Sequence, residues 1–164
     1  YKMATNISLN QFTPNVPVPG LYAYMANLPQ PHNIRVSPNQ EDALTAGAIL
    51  TIDGTATAVN APAMKQAAVT DRIDGILAYT PLKNTFEKND VIAIARSGDF
   101  VWLPAAAAIT AGQELYFNAS NQVTATATAG NSIVGIAWTS AAAVNDLVQV
   151  ELKFQKTEAA GGGS

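Results

Sequence analysis

The sequence between Ile109 and Leu152 is ITAGQELYFNASNQVTATATAGNSIVGIAWTSAAAVNDLVQVEL, and it decides the fold class. Short runs of β-branched and aromatic residues alternate there with Gly, Asn and Asp, which are residues that form turns. The clearest runs are Leu115–Phe117, Ile133–Trp138 and Leu147–Leu152. This pattern predicts an all-β unit.

The landmarks of this stretch recur, in the same order, in the first half of the chain. Ala-Gly precedes a strand, Gly-Ile lies inside one and Asn-Asp opens one, at offsets of about 65, 60 and 56 residues. The pairs are Ala46-Gly47 with Ala111-Gly112, Gly75-Ile76 with Gly135-Ile136, and Asn89-Asp90 with Asn145-Asp146. We interpret the recurrence as an internal two-fold repeat, which suits one compact barrel or sandwich because a solenoid needs three or more repeats. Chance reuse of turn residues is the alternative.

The amino-acid composition disfavours several classes of function. Hydrophobic residues make up 48% of the 164-residue chain, and charged residues only 13%, against about a quarter in typical domains. Such a weakly charged surface suits a protein that lives in an assembly, and the absence of Cys excludes disulfides and Cys-based metal sites. The net charge is −3 and no Lys or Arg occurs from Ser97 to Val150, which disfavours nucleic-acid binding. No apolar run reaches the ~18–20 residues of a membrane span.

Residues 1–42 are predicted to form an extended N-terminal arm. Met3–Gln40 holds six of the nine prolines, which remove backbone donors and favour extended conformations, so no helix or central strand is expected there. Its apolar and aromatic side chains would be unfavourable in water. We therefore expect the arm to lie along a partner's surface or, alternatively, along its own barrel. The candidate anchors are Phe12, Leu21, Tyr22, Tyr24, Met25 and Leu28.

Residues 43–155 are predicted to form the β-domain, and residues 156–164 a disordered tail or linker. The best hairpin signal is Val91–Arg96 and Phe100–Leu103, joined at Ser97-Gly98-Asp99. Asn60–Ala68 contains Pro62 and is expected to be a loop, and Ala105–Ala108 is expected to form a short helical turn. Trp102 and Trp138 are expected in the core, or alternatively at an interface.

No combination of residues predicts catalysis, a metal ion or a cofactor. His32, the single histidine, has no acid or Cys near it in sequence, so we expect an exposed residue or an arm contact. The acid pairs Asp71/Asp74 and Glu87/Asp90 lack the apolar setting that raises a carboxyl pKa. No nucleophile elbow, phosphate loop or calcium loop is present.

Four ordered segments resemble the head decoration proteins of tailed phages, also called structural cement proteins. In that family a G-x-F-x-L-P strand, an AG-x-x-L-Y strand, a Thr/Ala-rich strand, a G-x-A strand and a V-x-V-x-L strand recur in this order. The matching segments here are Phe100–Ala105, Ile109–Asn118, Gly130–Ala137 and Ala141–Leu152. The resemblance covers roughly Asp71–Leu152, and the arm and the longer first repeat match less well.

The resemblance implies a small β-barrel or β-tulip that binds the outer surface of a capsid built from HK97-type subunits, often as a trimer. We therefore predict a structural capsid decoration protein that bridges major capsid subunits, made in the host cytoplasm and located on the virion. It would be a homo-oligomer, with a trimer favoured, and no enzyme. A virion-surface adhesin or carbohydrate-binding β-domain is the alternative.

Overall fold

The computed structural model describes residues 17–22, 32–56 and 62–156, and these contain strands but no helix. An all-β fold with a small barrel, as predicted, is confirmed. In chain order the strands are β1 (His32–Val36), β2 (Leu44–Thr45), β3 (Ile49–Ile52), β4 (Ala63–Gln66), β5 (Gly75–Leu77), β6 (Thr85–Phe86), β7 (Val91–Ala95), β8 (Phe100–Pro104), β9 (Glu114–Phe117), β10 (Val123–Thr124), β11 (Ser132–Ala137) and β12 (Leu147–Lys156).

The first half of the chain forms a closed barrel in the order β1-β4-β3-β5-β7. Neighbouring strands are antiparallel except β1 and β4, which are parallel, and β1 closes the barrel against β7. Side chains alternate between the inside and the outside, as the two-residue period of a strand requires. In β7, for example, Ile92 and Ile94 are buried whereas Val91 is 67% exposed.

The second half forms a five-stranded sheet in the order β10-β9-β11-β12-β8. A parallel bridge between Ala105 and Val123 connects its two edges. One hydrophobic cluster fills the space between this sheet and the outside of the closed barrel. It contains Phe117, Val101 and Leu152 of the sheet together with Ile49 and Ile76 of the barrel. The two halves therefore share part of their core.

The pairing register is the same in both halves. Leu50 pairs with Gly75 in the first half, and Leu115 pairs with Gly135 in the second. The other pairings correspond in the same way: Ile76–Ala95 with Ile136–Glu151, Ile34–Ile92 with Leu103–Val148, Ile52–Met64 with Phe117–Val123, and the parallel Val36–Met64 with Ala105–Val123. The offsets of about 65, 60 and 56 residues seen in the sequence thus relate paired positions of the two sheets. Superposition of the halves and their origin by duplication stay predictions.

The first strand of the barrel lies inside the range 1–42 assigned to the arm. β1 is an inner strand between β7 and β4, which differs from the expectation that Met3–Gln40 contains no central strand. The reason is local: Pro31 and Pro38 flank this strand without entering it, and Ile34 and Val36 between them point inward. The assignment of the remaining residues of 1–42 to an arm, and of 156–164 to a tail, falls mostly outside the described residues and stays a prediction.

Three local predictions are wrong. β7 and β8 do not form a hairpin, because β7 pairs with β1 and β5 whereas β8 pairs with β12. Ser97–Asp99 instead connects the two halves, and the amide of Gly98 donates to the carbonyl of Leu152 at 2.8 Å. Asn60–Ala68 contains β4 because the strand begins just after Pro62. Ala105–Ala108 is not helical, since Ala105 takes part in the parallel bridge to Val123.

Candidate functional site

The outer face of the second sheet carries a cluster of aromatic and acidic side chains. Phe100 pairs with Glu151, Glu151 with Ile136, and Ile136 with Glu114, so the four residues form a row across β8, β12, β11 and β9. Residues directly opposite one another on neighbouring strands lie on the same face, and so do residues two apart on one strand. This face also carries Trp102 and Gln149, and we use the name outer face for the six residues Phe100, Glu114, Tyr116, Ile136, Trp138 and Glu151.

Trp138 is the most prominent side chain of the outer face. It is 56% exposed, so the prediction that it belongs to the core is wrong, and Trp102 is half-buried. The ring of Trp138 contacts that of Phe100 edge-on, with centroids 5.0 Å apart and an interplanar angle of 85°. Its Nε1 donates to Oε2 of Glu151 at 2.9 Å. Two contacts thus fix the orientation of a largely exposed indole.

Both carboxylates of the outer face accept hydrogen bonds from aromatic residues. The hydroxyl of Tyr116 donates to Oε1 of Glu114 at 2.7 Å, and this bond raises the pKa of Tyr116. The hydrogen bond from Trp138, followed by that from Lys153, lowers the pKa of Glu151. Lys153 Nζ lies 3.2 Å from Glu151 Oε1. Glu114 and Glu151 are therefore held in place by their neighbours.

A short N-terminal segment, Gly20–Tyr22, binds along β8. The amide of Gly20 donates to the carbonyl of Trp102 at 2.8 Å, and the amide of Trp102 donates to the carbonyl of Leu21 at 2.9 Å. On its other side, the carbonyl of Gly20 accepts from the amide of Tyr79 at 2.9 Å. Gly20 has a φ of 73°, and a Cβ there would lie 2.5 Å from the carbonyl oxygen of Leu77, so only glycine fits. This segment joins the two halves.

Of the six predicted arm anchors, two lie in the described residues. Tyr22 packs against the shared core, its hydroxyl donates to the carbonyl of Ile94 at 3.3 Å, and burial, followed by the charge of Asp99, raises its pKa to about 12. Leu21 and Tyr22 thus contact the chain's own domain, which corresponds to the alternative of an arm along its own barrel. Phe12, Tyr24, Met25 and Leu28 lie outside the described residues.

Asp53 is the centre of a buried polar network in the first barrel. It is 4% exposed, and its Oδ2 accepts from the Ser37 hydroxyl at 2.5 Å and from Asn39 Nδ2 at 3.0 Å. Its Oδ1 accepts from the Thr55 hydroxyl at 2.8 Å and lies 3.3 Å from Lys65 Nζ. The Ser37 bond first, then the Thr55 bond, holds the pKa of Asp53 far below its usual range. A carboxylate whose two oxygens both accept hydrogen bonds stays ionised at neutral pH. Asp53 therefore organises its loop and is a poor candidate for a general acid or base.

The other titratable residues singled out from the sequence do not converge. His32 is an exposed residue at the start of β1. Asp74 binds Arg72 and the amide of Ile52, and Lys83 binds Asp90. Within the described residues, no group of three His, Asp or Glu side chains could hold a metal ion. The described part of the chain also has no helix that is long and apolar enough to cross a bilayer.

A family model of phage cement proteins matches residues 29–152, a range that contains all of β1–β11 and most of β12. The chain belongs to this family. The resemblance noted in the sequence is thereby confirmed, and it extends to the first half as well. A comparison with curated proteins gives no match.

Membership of the cement proteins indicates a structural role in stabilising a phage capsid, and with it a location on the virion. The family is a structural one rather than a class of enzymes. Capsid protein is the partner that this role implies.

The outer face was not among the sites predicted from the sequence, although the recurring landmarks contained a signal for it. At corresponding positions of the two sheets, Ile49 is replaced by Glu114 and Ala95 by Glu151. Ala78, in the same comparison, is replaced by Trp138. Two positions that are small or apolar in the first sheet and acidic at the corresponding places of the second sheet indicate a core-facing surface in the first and a solvent-facing one in the second.

Proposed function

We propose that this cement protein binds the outer surface of a phage head and bridges neighbouring major capsid subunits of the HK97-type fold. The observation that supports the proposal is the family match over residues 29–152, which spans both halves of the domain. The low content of charged residues, 13%, suits a surface that becomes covered in an assembly.

Bridging gains strength from multivalency. An oligomer whose subunits each contact the shell binds far more tightly than one subunit, because later contacts form at a high effective concentration. A homotrimer is the favoured arrangement in this proposal. Light scattering at tens of micromolar tests the oligomer, and a strictly monomeric protein that also fails to add to capsids would contradict it.

The direct test uses expanded capsids assembled without the protein. Purified protein is added, bound protein is separated from free protein by sedimentation, and the capsids are then heated. We expect saturable binding and a higher temperature of capsid disruption, because a ligand that binds only the intact shell stabilises it. Capsids that neither bind the protein nor gain stability would refute the proposal.

The arm has its own part in the proposal. Phe12, Tyr24, Met25 and Leu28 are proposed to bind a groove or sheet edge on the capsid, where a Pro-rich segment can add main-chain hydrogen bonds and apolar anchors. Leu21 and Tyr22 already contact the chain's own domain, so they would fix the middle of the arm. A chain that begins at Pro17 lacks Phe12 but keeps the other three anchors, so a loss of capsid affinity in this chain would measure the contribution of Phe12, and unchanged affinity would argue against Phe12 as an anchor.

Carbohydrate binding is the second candidate, and the exposed Trp138 beside Phe100 favours it. Aromatic rings of this kind can stack against the apolar face of a sugar, since they combine a large apolar surface with a polar edge. Titration of the protein with host-surface glycans, followed by Trp138 fluorescence, tests this function. Trp138→Phe identifies the part of the fluorescence that comes from Trp138. If added glycan leaves that part unchanged, the protein does not bind the glycan through Trp138.

A further inference from the structure

The outer face has a counterpart in the first barrel, and there it is fully covered. The positions of Glu114, Ile136, Trp138 and Glu151 correspond to Ile49, Ile76, Ala78 and Ala95, all of which are at most 3% exposed. The second half covers this surface: Ile49, Ile76 and Ala95 belong to a core cluster that also contains Phe117 and Val101. The face of the first half that corresponds to the outer face is therefore a packing surface.

The residues of the outer face that stand where the barrel has apolar ones show what kind of partner could cover the outer face. Glu114 and Glu151 put two carboxylates into the row where Ile49 and Ala95 stand in the first barrel. No Lys or Arg occurs from Ser97 to Val150, so Lys153 is the cation nearest in sequence on this sheet, and it is 3.2 Å from Glu151. Glu151 is already paired with Lys153, whereas Glu114 is bound, among the described residues, only by the Tyr116 hydroxyl. A covering partner is therefore expected to supply a positive charge for Glu114, because a buried carboxylate without a cation would be strongly destabilising.

The aromatic side chains of the outer face suit the same partner. A guanidinium or ammonium group is attracted to the face of a Trp ring within about 6 Å of its centroid, and it binds carboxylates through charge-assisted hydrogen bonds. Trp138 is held by Phe100 and Glu151 before any partner arrives. Binding to a preorganised side chain loses less conformational entropy.

We infer that the outer face binds a cationic side chain, Arg or Lys, that projects from an apolar patch of the capsid protein. This inference rests on the proposed function, to which it adds the contact surface and the chemistry of the partner. Four of the eight described Lys and Arg residues, Lys65, Arg72, Lys83 and Lys153, are paired with carboxylates of their own chain, and a second copy of the chain as the occupant is an outcome of the test below.

The test compares three variants in sedimentation with capsids assembled without the protein. Trp138→Ala removes the aromatic contact, and Glu114→Gln removes one charge but keeps an oxygen for the Tyr116 hydroxyl. Leu82→Ala is the matched control, because Leu82 is 94% exposed and lies in the connection between β5 and β6 of the first half. Thermal melts establish that all three variants fold.

We expect Trp138→Ala to weaken capsid binding about tenfold or more, and Leu82→Ala to bind as the unmodified protein does. Glu114→Gln should bind more weakly and with a smaller dependence on salt, because one screened charge pair is lost. If both outer-face variants bind within about twofold of the unmodified protein, the inference is wrong although the proposed function stands. If Trp138→Ala instead dissociates an oligomer while capsid binding persists, the face joins copies of the chain and the inference is also wrong. Failure of the unmodified protein to bind would refute the proposed function itself.

Discussion

Oδ1 of Asn121 accepts a hydrogen bond of 3.0 Å from the backbone amide of Ile49. Asn121 lies in the turn between β9 and β10 with a φ of 57°, so a turn of the second half binds the first strand position of β3. The side chain of Gln66 reaches the same turn, at the carbonyl of Ala119, at 3.4 Å. The two halves are thus connected by specific polar contacts as well as by their shared core.

Substitutions at Asn121 should separate the hydrogen bond from the backbone conformation. Asn121→Gly keeps a residue that adopts positive φ readily and removes the acceptor, so we expect the free energy of unfolding to fall by about 1–2 kcal/mol. Asn121→Ala should cost about 1 kcal/mol more, because alanine is strained in the left-handed region. Urea denaturation measures both. Equal stability of Asn121→Gly and the unmodified protein would show that the contact between the halves contributes nothing.

Asp53 should make the stability depend on pH in the acid range. Its pKa is lower in the folded than in the unfolded chain, so its contribution is fully present above an unfolded pKa of about 3.9 and is lost as the pH falls toward the folded value. Asp53→Asn should lower the free energy of unfolding at neutral pH by about 2 kcal/mol or more, since an amide group would face donors. This substitution should also make the free energy of unfolding depend less steeply on pH between about pH 5 and pH 2.

The matched control for Asp53 is Glu87→Gln, which removes one negative charge at an exposed position of the same half. Denaturation at a series of pH values should give nearly parallel curves for this control and the unmodified protein. If the free energy of unfolding of Asp53→Asn changes with pH as steeply as that of Glu87→Gln, other acids dominate the pH dependence.

Gly135 should tolerate no side chain. A Cβ at Gly135 would overlap the carbonyl oxygen of Glu151 on the neighbouring strand, which is backbone and cannot move aside. We expect Gly135→Ala to lower the free energy of unfolding by about 3 kcal/mol or to prevent folding. Gly54→Ala is the control, because nothing lies within 4 Å of its Cβ position, and it should be neutral or slightly stabilising. Comparable losses in the two variants would contradict the steric explanation.

Two truncated chains should differ sharply in folding. A chain that begins at Pro17 retains Gly20–Tyr22 and every described strand, so it should keep a cooperative melt. A chain that begins at Glu41 loses β1, which contacts both β4 and β7, and should not fold cooperatively. Circular dichroism during heating measures both. Cooperative folding of the shorter chain would show that the barrel closes without β1.

The sequence allowed the fold class and the positions of several strands to be predicted, because these depend on local alternation and turn residues. Asn89 and Asn145, which open β7 and β12, have φ values of 69° and 68°, as their place in equivalent turns requires. The pairing of β7 and β8 could not be predicted correctly. Adjacent strands with a good turn favour a hairpin, and only the long-range pairs of β7 with β1 and β8 with β12 show otherwise.

The candidate surface was harder to predict than the fold. Trp138 and Ile136 lie in one hydrophobic run, and periodicity alone does not say which side of a strand meets solvent. The orientation of Trp138 depends on Glu151 on the next strand, a hydrogen-bond partner 13 residues away that the pairing register of the sheet brings beside it. Likewise, the position of Tyr22 depends on Ile94, 72 residues away.

The closure of the first barrel by β1 also has a consequence for folding kinetics. β1 leaves the ribosome before every other barrel strand, yet its antiparallel neighbour β7 is the last of them to be made. Such non-local pairing slows folding, because much chain must be ordered before the closing contacts form. The inward side of β1, with Ile34 and Val36, therefore lacks the cover of β7 until Ala95 has been synthesised, and during this interval the nascent chain is most exposed to misassociation with other chains.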